Sequence, residues 1–262
     1  MRLREARASD HPTFVRLFAE LGVDDPVLDS ARFAAEVAPT MLVAEEGSAA
    51  LGYVYFQLAS ELAYVRQLVT APEARRRGVA QALLAAVAER ARAAGASSWC
   101  LNVKRENAAA IALYERVGMA TAYASSALEL ARVVLDRLPR APAGLVVRVA
   151  GEDEDARAAD AAKTTVALVA VARARGRTPF LLEEDGVAVG GAIFDARFPG
   201  AFPFRVERGE LAPPFVRALA DLVPDAPILY VTAEAQPAAT NALVAHGAVV
   251  RFEILHMTGE LA

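Results

Sequence analysis

A chain of 262 residues with a hydrophobic share of 55%, a charged share of 23% and a net charge of −4 has material for two domain-sized cores and lacks the composition of a disordered protein. Its sequence pI near 5.6 gives no whole-protein field for nucleic acid, so the one basic cluster, Arg75-Arg76-Arg77, needs a local explanation. Cys100 is the only cysteine, Met1 to Glu5 alternates charged and apolar residues, and no apolar run reaches the roughly 20 residues of a membrane helix, so disulfides, thiolate metal clusters, a signal peptide and a membrane partner are excluded and a cytoplasmic protein is expected.

Period and punctuation predict a strand at Arg2 to Ala6, a helix from Ser9 or Asp10 to Leu21, and more helix around Leu28 to Val37. Met41 to Glu45, Leu51 to Leu58 and Leu62 to Thr70 read as an antiparallel meander. After Gly78, the residues Val79, Leu83, Val87 and Ala91 share one face of an amphipathic helix that Gly95 ends. Ser98 to Lys104 is the next strand and Asn107 to Val117 the next helix, with Gly118 placed for a left-handed C-cap.

Leu138 to Gly144 carries two prolines and a glycine without an apolar period, and the strand Leu145 to Val149 follows it. The expected division is therefore residues 1–138, a linker at 139–144, and residues 145–262. Beyond it the first half recurs: Phe180 to Gly186 echoes Met41 to Gly47, Val187 to Asp195 answers Ala49 to Gln57, and Ile228 to Val231 answers Trp99 to Val103. The interval from Gln236 to Gly247 equals that from Asn107 to Gly118. The copy keeps the strands and changes the chemistry. It has Gly209 to Pro214, with two prolines that lack amide hydrogens, where the first half has Arg75 to Ala80. It also has Leu243 opposite Tyr114. One working site is expected.

In the first half a strand, a glycine turn and a helix N-terminus fall in sequence. Backbone amides converging there, aided by the helix dipole, suit a pyrophosphate. Gly78 frees the turn, Val79 and Ala80 open the helix, and Arg75, Arg76 and Arg77 can pair with phosphates. Cations at a helix start oppose the dipole, so three of them call for an anion.

Arg75, Gly78 and Ala80 match in register the signature of the GCN5-related N-acetyltransferase (GNAT) family: Arg or Gln, two residues, Gly, one residue, then Gly or Ala. Asn107, Ala110, Leu113 and Tyr114 match its second pattern. Residues 2 to 130 resemble that family, and the remainder resembles it through the repeat. The resemblance implies an α/β (mixed α+β) fold of two tandem GNAT-like domains, each a mixed, mostly antiparallel sheet flanked by helices. It implies acetyl-CoA as cosubstrate and a small-molecule amine as acceptor. The pantetheine arm then lies between two splayed strands against the backbone of Leu68 and Val69. Tyr114 protonates the departing thiolate as general acid, and Asn107 both caps its helix and meets the cofactor.

The base is the gap in this reading. In the branch of the family that acetylates ribosomal-protein N-termini, a glutamate on the strand before the tyrosine serves, and Asn102 stands there, an amide that takes no proton. Tyr64, Arg66 and Gln67 occupy the earlier strand, and Glu61 lies only at its start. Tyr64 and Asn102 are therefore candidates for the substrate side, holding a water. A non-catalytic acyl-CoA-binding module, or acetylation of a protein N-terminus, remains an alternative function. His11, His246 and His256 are scattered without ligand spacing, so no metal is expected. Cys100 reads as packing. Acceptor-shaping loops are expected at Gly22 to Phe33 and in the second half.

Overall fold

The computed structural model describes residues 1–23 and 26–261; Asp24 and Asp25, inside the segment expected to shape the acceptor pocket, lie outside it, as does Ala262. The chain forms two compact units. The first comprises Met1–Val103, Asn107–Ala122 and the chain from His256 onward; the second comprises Lys104–Glu106 and Tyr123–Leu255. The segment 139–144 falls inside the second.

In the first unit β1 (Arg2–Glu5), β2 (Met41–Glu46), β3 (Ala49–Ala59) and β4 (Leu62–Thr70) pair antiparallel in that order, and β5 (Ser98–Lys104) joins β4 in parallel. The helix α1 (His11–Phe18) buries Phe14 and Leu17, with Phe14 set against Tyr53 at 5.6 Å between rings. The single helix expected from Ser9 or Asp10 to Leu21 is a composite: 3-10 turns at Ala8–Asp10 and Ala19–Leu21 flank α1, Pro12 sits in its first turn, and Gly22 at φ +58 closes it. The helix expected from Leu28 starts at α2 (Ser30–Arg32), where the Asp29 side chain accepts from the Arg32 amide, and continues as a π-turn at Phe33–Val37. The helix α3 (Val79–Ala93) buries Val79, Leu83, Val87 and Ala91, one stripe at the helical period. The helix α4 (Ala108–Arg116) ends in a Schellman turn: the Gly118 amide, at φ +87, donates to the Glu115 carbonyl and the Met119 amide to the Tyr114 carbonyl, both at 3.0 Å.

The chain continues through β6 (Ala120–Ala131), α5 (Arg132–Leu135), β7 (Leu145–Val149), α6 (Asp155–Ala162), α7 (Val166–Ala174), β8 (Thr178–Glu184), β9 (Val187–Asp195), β10 (Gly200–Val206), α8 (Ala212–Ala220), β11 (Ile228–Glu234), α9 (Pro237–Ala245) and β12 (Val249–Glu260). Within the second unit β7, β8, β9 and β10 pair antiparallel and β10 pairs with β11 in parallel, which repeats the order of β1 to β5. On its other side β11 meets β6 antiparallel.

The repeat reaches individual atoms. Arg4 forks onto Asp10 at 2.7 and 2.8 Å and onto Glu45 at 2.6 Å, while Asp10 accepts the Arg7 amide at 2.7 Å. Arg148 forks onto Glu154 at 2.6 and 2.7 Å and onto Glu183 at 2.7 and 2.9 Å, while Glu154 accepts the Gly151 amide at 2.9 Å. Each fork ties the unit's first strand to the start of its first helix and to the second strand. Phe194 and Phe204 enter the second core beside Phe215 and Leu219, and Phe198 stacks on Tyr230 at 5.0 Å. Cys100 is buried in β5. Among the described residues no helix is long and apolar enough to cross a membrane.

Candidate functional site

The turn between β4 and α3 lies on the surface. Arg75, Arg76, Arg77 and Gly78 are exposed, Val79 is buried beneath them and Ala80 is partly covered. Arg76 at φ +62 and Gly78 at φ +78 both take the left-handed conformation. That conformation is costly for an arginine and free for a glycine. Left-handed residues in a turn are the kind of backbone from which anion-binding concavities are built. Ala82 is the first amide of α3 to find a partner, the Gly78 carbonyl at 3.0 Å. Among the described residues, the amides of Gly78, Val79, Ala80 and Gln81 have no backbone acceptor, and no side chain caps the helix. A Cβ built on Gly78 would meet nothing within 4 Å, so the space at that point of the turn is open.

The arginines are held by the protein itself: Arg75 pairs with Glu20 at 2.7 Å and Arg77 with Glu46 at 2.8 Å. The anion that the sequence called for is thus supplied in part by two glutamates. Exposed pairs of this kind are weak and screened by solvent, so they yield readily to a phosphate.

Leu68 and Val69 sit at the end of β4 that leads into this turn. A Cβ on Gly52 of β3 would run into the Val69 carbonyl oxygen and lie 3.3 Å from Val79 Cγ1, so Gly52 is the point where β3, β4 and α3 close on one another. The parallel pairing of β4 with β5 runs from Leu62 opposite Ser98 to Val65 opposite Leu101 and stops there. From Arg66 onward β4 stays on β3, with a register shift at that point, while its β5 side is left open as far as Thr70. The opening leads straight to the amides at the start of α3.

Tyr114 is the only buried residue of α4. Its hydroxyl makes no hydrogen bond with any described residue, and burial pushes the phenol up to about 12. A tyrosine buried for packing ordinarily finds a partner for its hydroxyl; this one keeps its proton and has nowhere to give it. Asn107 acts as the N-cap of α4, its Oδ1 accepting the Ala110 amide at 3.2 Å, and is brought to no residue of the α3 turn.

Tyr64 and Asn102 are brought together. Asn102 Nδ2 donates to the Tyr64 hydroxyl at 2.9 Å, and the Arg66 guanidinium lies over the Tyr64 ring at 4.4 Å. A third residue completes the cluster: His256, near the end of β12, donates from Nδ1 to Asn102 Oδ1 at 2.8 Å and meets the Tyr64 ring edge-on at 6.5 Å. Burial holds its imidazole below the usual histidine value. Nothing in the sequence signals this residue, because its partner is 154 positions away. Glu61 is at the far end of β4, where its carbonyl accepts the amides of Ser97 and Ser98 at 3.0 and 3.1 Å. Among the described residues no group of three or more His, Cys, Asp or Glu side chains is placed to hold a metal ion.

Residues 3–119 match the acetyltransferase (GNAT) family. No curated protein matches the sequence. Three solved structures are similar over nearly the full length of both chains. A tandem GNAT protein from the clavulanic acid biosynthesis pathway is 18% identical, covers 100% of this chain and 98% of its own, and has a TM-score of 0.66. A putative acetyltransferase from Pyrococcus horikoshii is 16% identical with a TM-score of 0.75, covering 99% and 89%. A GCN5-related N-acetyltransferase from Sphaerobacter thermophilus is 16% identical with a TM-score of 0.70, covering 99% and 95%. At these identities the likeness is one of fold.

Proposed function

Starting from a chain whose residues 3–119 belong to the GNAT acetyltransferase family, we propose that the protein moves an acetyl group from acetyl-CoA to the primary amine of a small molecule by direct transfer in its first unit. The observation that carries the reading is the opening between β4 and β5 beyond Val65 and Leu101, which ends on the unpartnered amides of α3. A strand edge beside an anion seat suits an extended arm that bears amides and ends in a pyrophosphate. Gly78, Val79 and Ala80 would hold the phosphates through backbone amides, with Arg75 and Arg77 releasing their glutamates, and Arg76 between them, to pair with the phosphates. Leu68 and Val69 would line the arm, and Asn107 would meet it from the start of α4. Acetyl-CoA supplies an activated acyl thioester, and the chain supplies position and protons. Tyr114 holds a proton for the leaving sulfur: its hydroxyl is unbonded, and at a value near 12 it stays protonated throughout the neutral range. Tyr64 and Asn102 stand on the acceptor side.

The test is release of free thiol from acetyl-CoA across a panel of primary amines, together with calorimetry of acetyl-CoA binding to the wild type and to Gly78→Pro. Proline cannot adopt φ +78 and has no amide hydrogen, so binding is expected to be lost. Retained affinity in a folded variant refutes the seat, and tight binding without transfer to any amine refutes the transferase.

A further inference from the structure

Proton removal from the acceptor is the step for which β4 and β5 offer no carboxylate on any residue from Leu62 to Thr70 or from Ser98 to Lys104. The first unit does bring one neutral imidazole to the point where those strands part, and it comes from the far end of the chain.

The location follows from strand pairing. Tyr53, Tyr55 and Gln57 of β3 share one face: Phe14 of α1 packs on Tyr53, and Gln57 Nε2 donates to the Tyr55 hydroxyl at 2.8 Å. Tyr64 stands opposite Gln57 and so lies on that face, whereas Gly52, next to Tyr53, faces Val79 of α3. Tyr64 is also opposite Cys100, which puts Asn102, two residues on, on the same side. The cluster of Tyr64, Asn102 and His256 thus lies on the α1 face of the sheet, at the closed end of the opening. A linear group anchored at the start of α3 and laid back along β4 from Thr70 reaches Val65 in five residues, about 17 Å at roughly 3.3 Å each. Its reactive end then arrives beside Tyr64 and Asn102.

We propose that His256 accepts the proton of the attacking amine at Nε2 and that Asn102 is the positioning residue that presents it. This rests on the transferase reading above. Asn102 Oδ1 can only accept, so the hydrogen of the neutral ring resides on Nδ1 and the lone pair on Nε2. In the same orientation of the amide, Nδ2 donates to the Tyr64 hydroxyl. Burial keeps the ring neutral near pH 7, the state a base needs. The acceptor ammonium must shed two protons. His256 takes the first and passes it to solvent. As the C–N bond forms and the C–S bond breaks, Tyr114 gives its proton to sulfur, and the second proton of nitrogen passes to the resulting phenolate and restores the phenol.

Within the first unit, Asn102 and Tyr64 meet His256 directly, and the Arg66 guanidinium lies over the Tyr64 ring. On β12 itself Glu253 pairs with Arg105, and Arg251 with Glu129 at 3.3 Å.

Three measurements on the full chain test the proposal. His256→Gln, which can still donate to Asn102, is expected to lower kcat about 10²- to 10³-fold with unchanged acetyl-CoA affinity by calorimetry. Asn102→Asp sets a carboxylate on the Nδ1 hydrogen and is expected to move the acidic limb of kcat/KM to higher pH, because a neighbouring anion favours imidazolium. Nitrogen-15 NMR of the wild type should show the Nδ1–H tautomer. A folded His256→Gln within about twofold of wild-type kcat overturns the role. Should that variant not fold, an unmoved limb in Asn102→Asp or an Nε2–H tautomer overturns it. A wild type that binds acetyl-CoA and acetylates nothing sinks the transferase reading instead, and this inference with it.

Discussion

Tyr114→Phe separates a chemical role for the phenol from a packing role. The side chain is 7% exposed, and phenylalanine keeps its shape. Because the hydroxyl is bonded to no described residue, its removal forfeits none of the roughly 1 kcal/mol that an ordinary hydrogen bond contributes, and the unfolding midpoint in urea should hold within experimental scatter. The rate should not hold. Removing a general acid typically costs 10²- to 10⁴-fold, about 3–5 kcal/mol of barrier at about 1.4 kcal/mol per decade. The burial that pushes Tyr114 up to about 12 would also penalise a thiolate leaving beside it, so in the proposed transfer the sulfur would need its proton during bond cleavage. The assay is single-turnover thiol release with the best amine of the panel, where acyl transfer is not masked by product release. With Tyr114 protonated until pH approaches about 12, it contributes no alkaline limb at neutral or mildly alkaline pH. A variant as fast as wild type, or one whose loss of rate follows loss of stability, refutes the acid role.

Gly52→Ala drives a methyl group into the Val69 carbonyl and within 3.2 Å of Thr70 Cα; overpacking of this kind costs about 1–3 kcal/mol, and calorimetry should show acetyl-CoA affinity falling with stability, whereas an unchanged protein contradicts the tight closure of β3, β4 and α3. The Glu154 carboxyl, held by Arg148 at about 2 against an ordinary 4.5, contributes stability that is fully present above pH 4.5 and is lost as pH falls towards about 2. Glu154→Gln should therefore flatten the acid side of the melting-temperature profile, and a profile parallel to wild type removes Glu154 as its cause. Acetyl-CoA should titrate with one site per chain, and a stoichiometry of two contradicts a single seat.

The elements that positioned the seat were legible because each carries a local signal. The strands at Leu62–Thr70, Ser98–Lys104 and Val187–Asp195 run as apolar or β-branched stretches between turn residues, and Gly78 and Gly118 mark turns that only a left-handed residue makes easily. Among the elements left unread in the sequence, β6 reads ATAYASSALELA, where alanine and serine flatten any alternation, and α7 has no apolar face distinct from its alanines. The partners of Arg75 and Arg77 lie 55 and 31 positions away and are set by tertiary packing alone. His256 was out of reach for the same reason in stronger form. The division expected from the sequence puts β12 with residues 145–262, and nothing local to it shows that from His256 onward the chain belongs to the first unit, beside Asn102.

The second unit shows what happens to such a site when no ligand is expected to complete it. Thr70 faces Gly52 and Gly52 faces Ala44; Val206 faces Gly190 and Gly190 faces Leu182, so Val206 holds the place of Thr70. Gln236 stands where Asn107 stands, yet it leaves α9 without a side-chain cap. Its amide instead accepts from the Val206 nitrogen at 2.9 Å and donates to the Val206 carbonyl at 2.7 Å. A side chain thus pairs with strand backbone at the point where the first unit leaves its strand edge open. The helix start has closed as well: Ala212, Pro213 and Pro214 are buried, and a Cβ on Gly209 would lie 2.6 Å from the Ala238 carbonyl oxygen. The Val206 backbone is thus already bonded and the start of α8 is covered and lacks two amide hydrogens. A buried donor or acceptor without a partner costs about 1–3 kcal/mol, so a copy that ceased to bind its ligand gains by bonding those groups internally. Gln236 bonds such a group and the two prolines remove two of them, whereas the amides of Gly78 to Gln81 in the first unit have no backbone acceptor among the described residues, the contrast on which the proposed single seat rests.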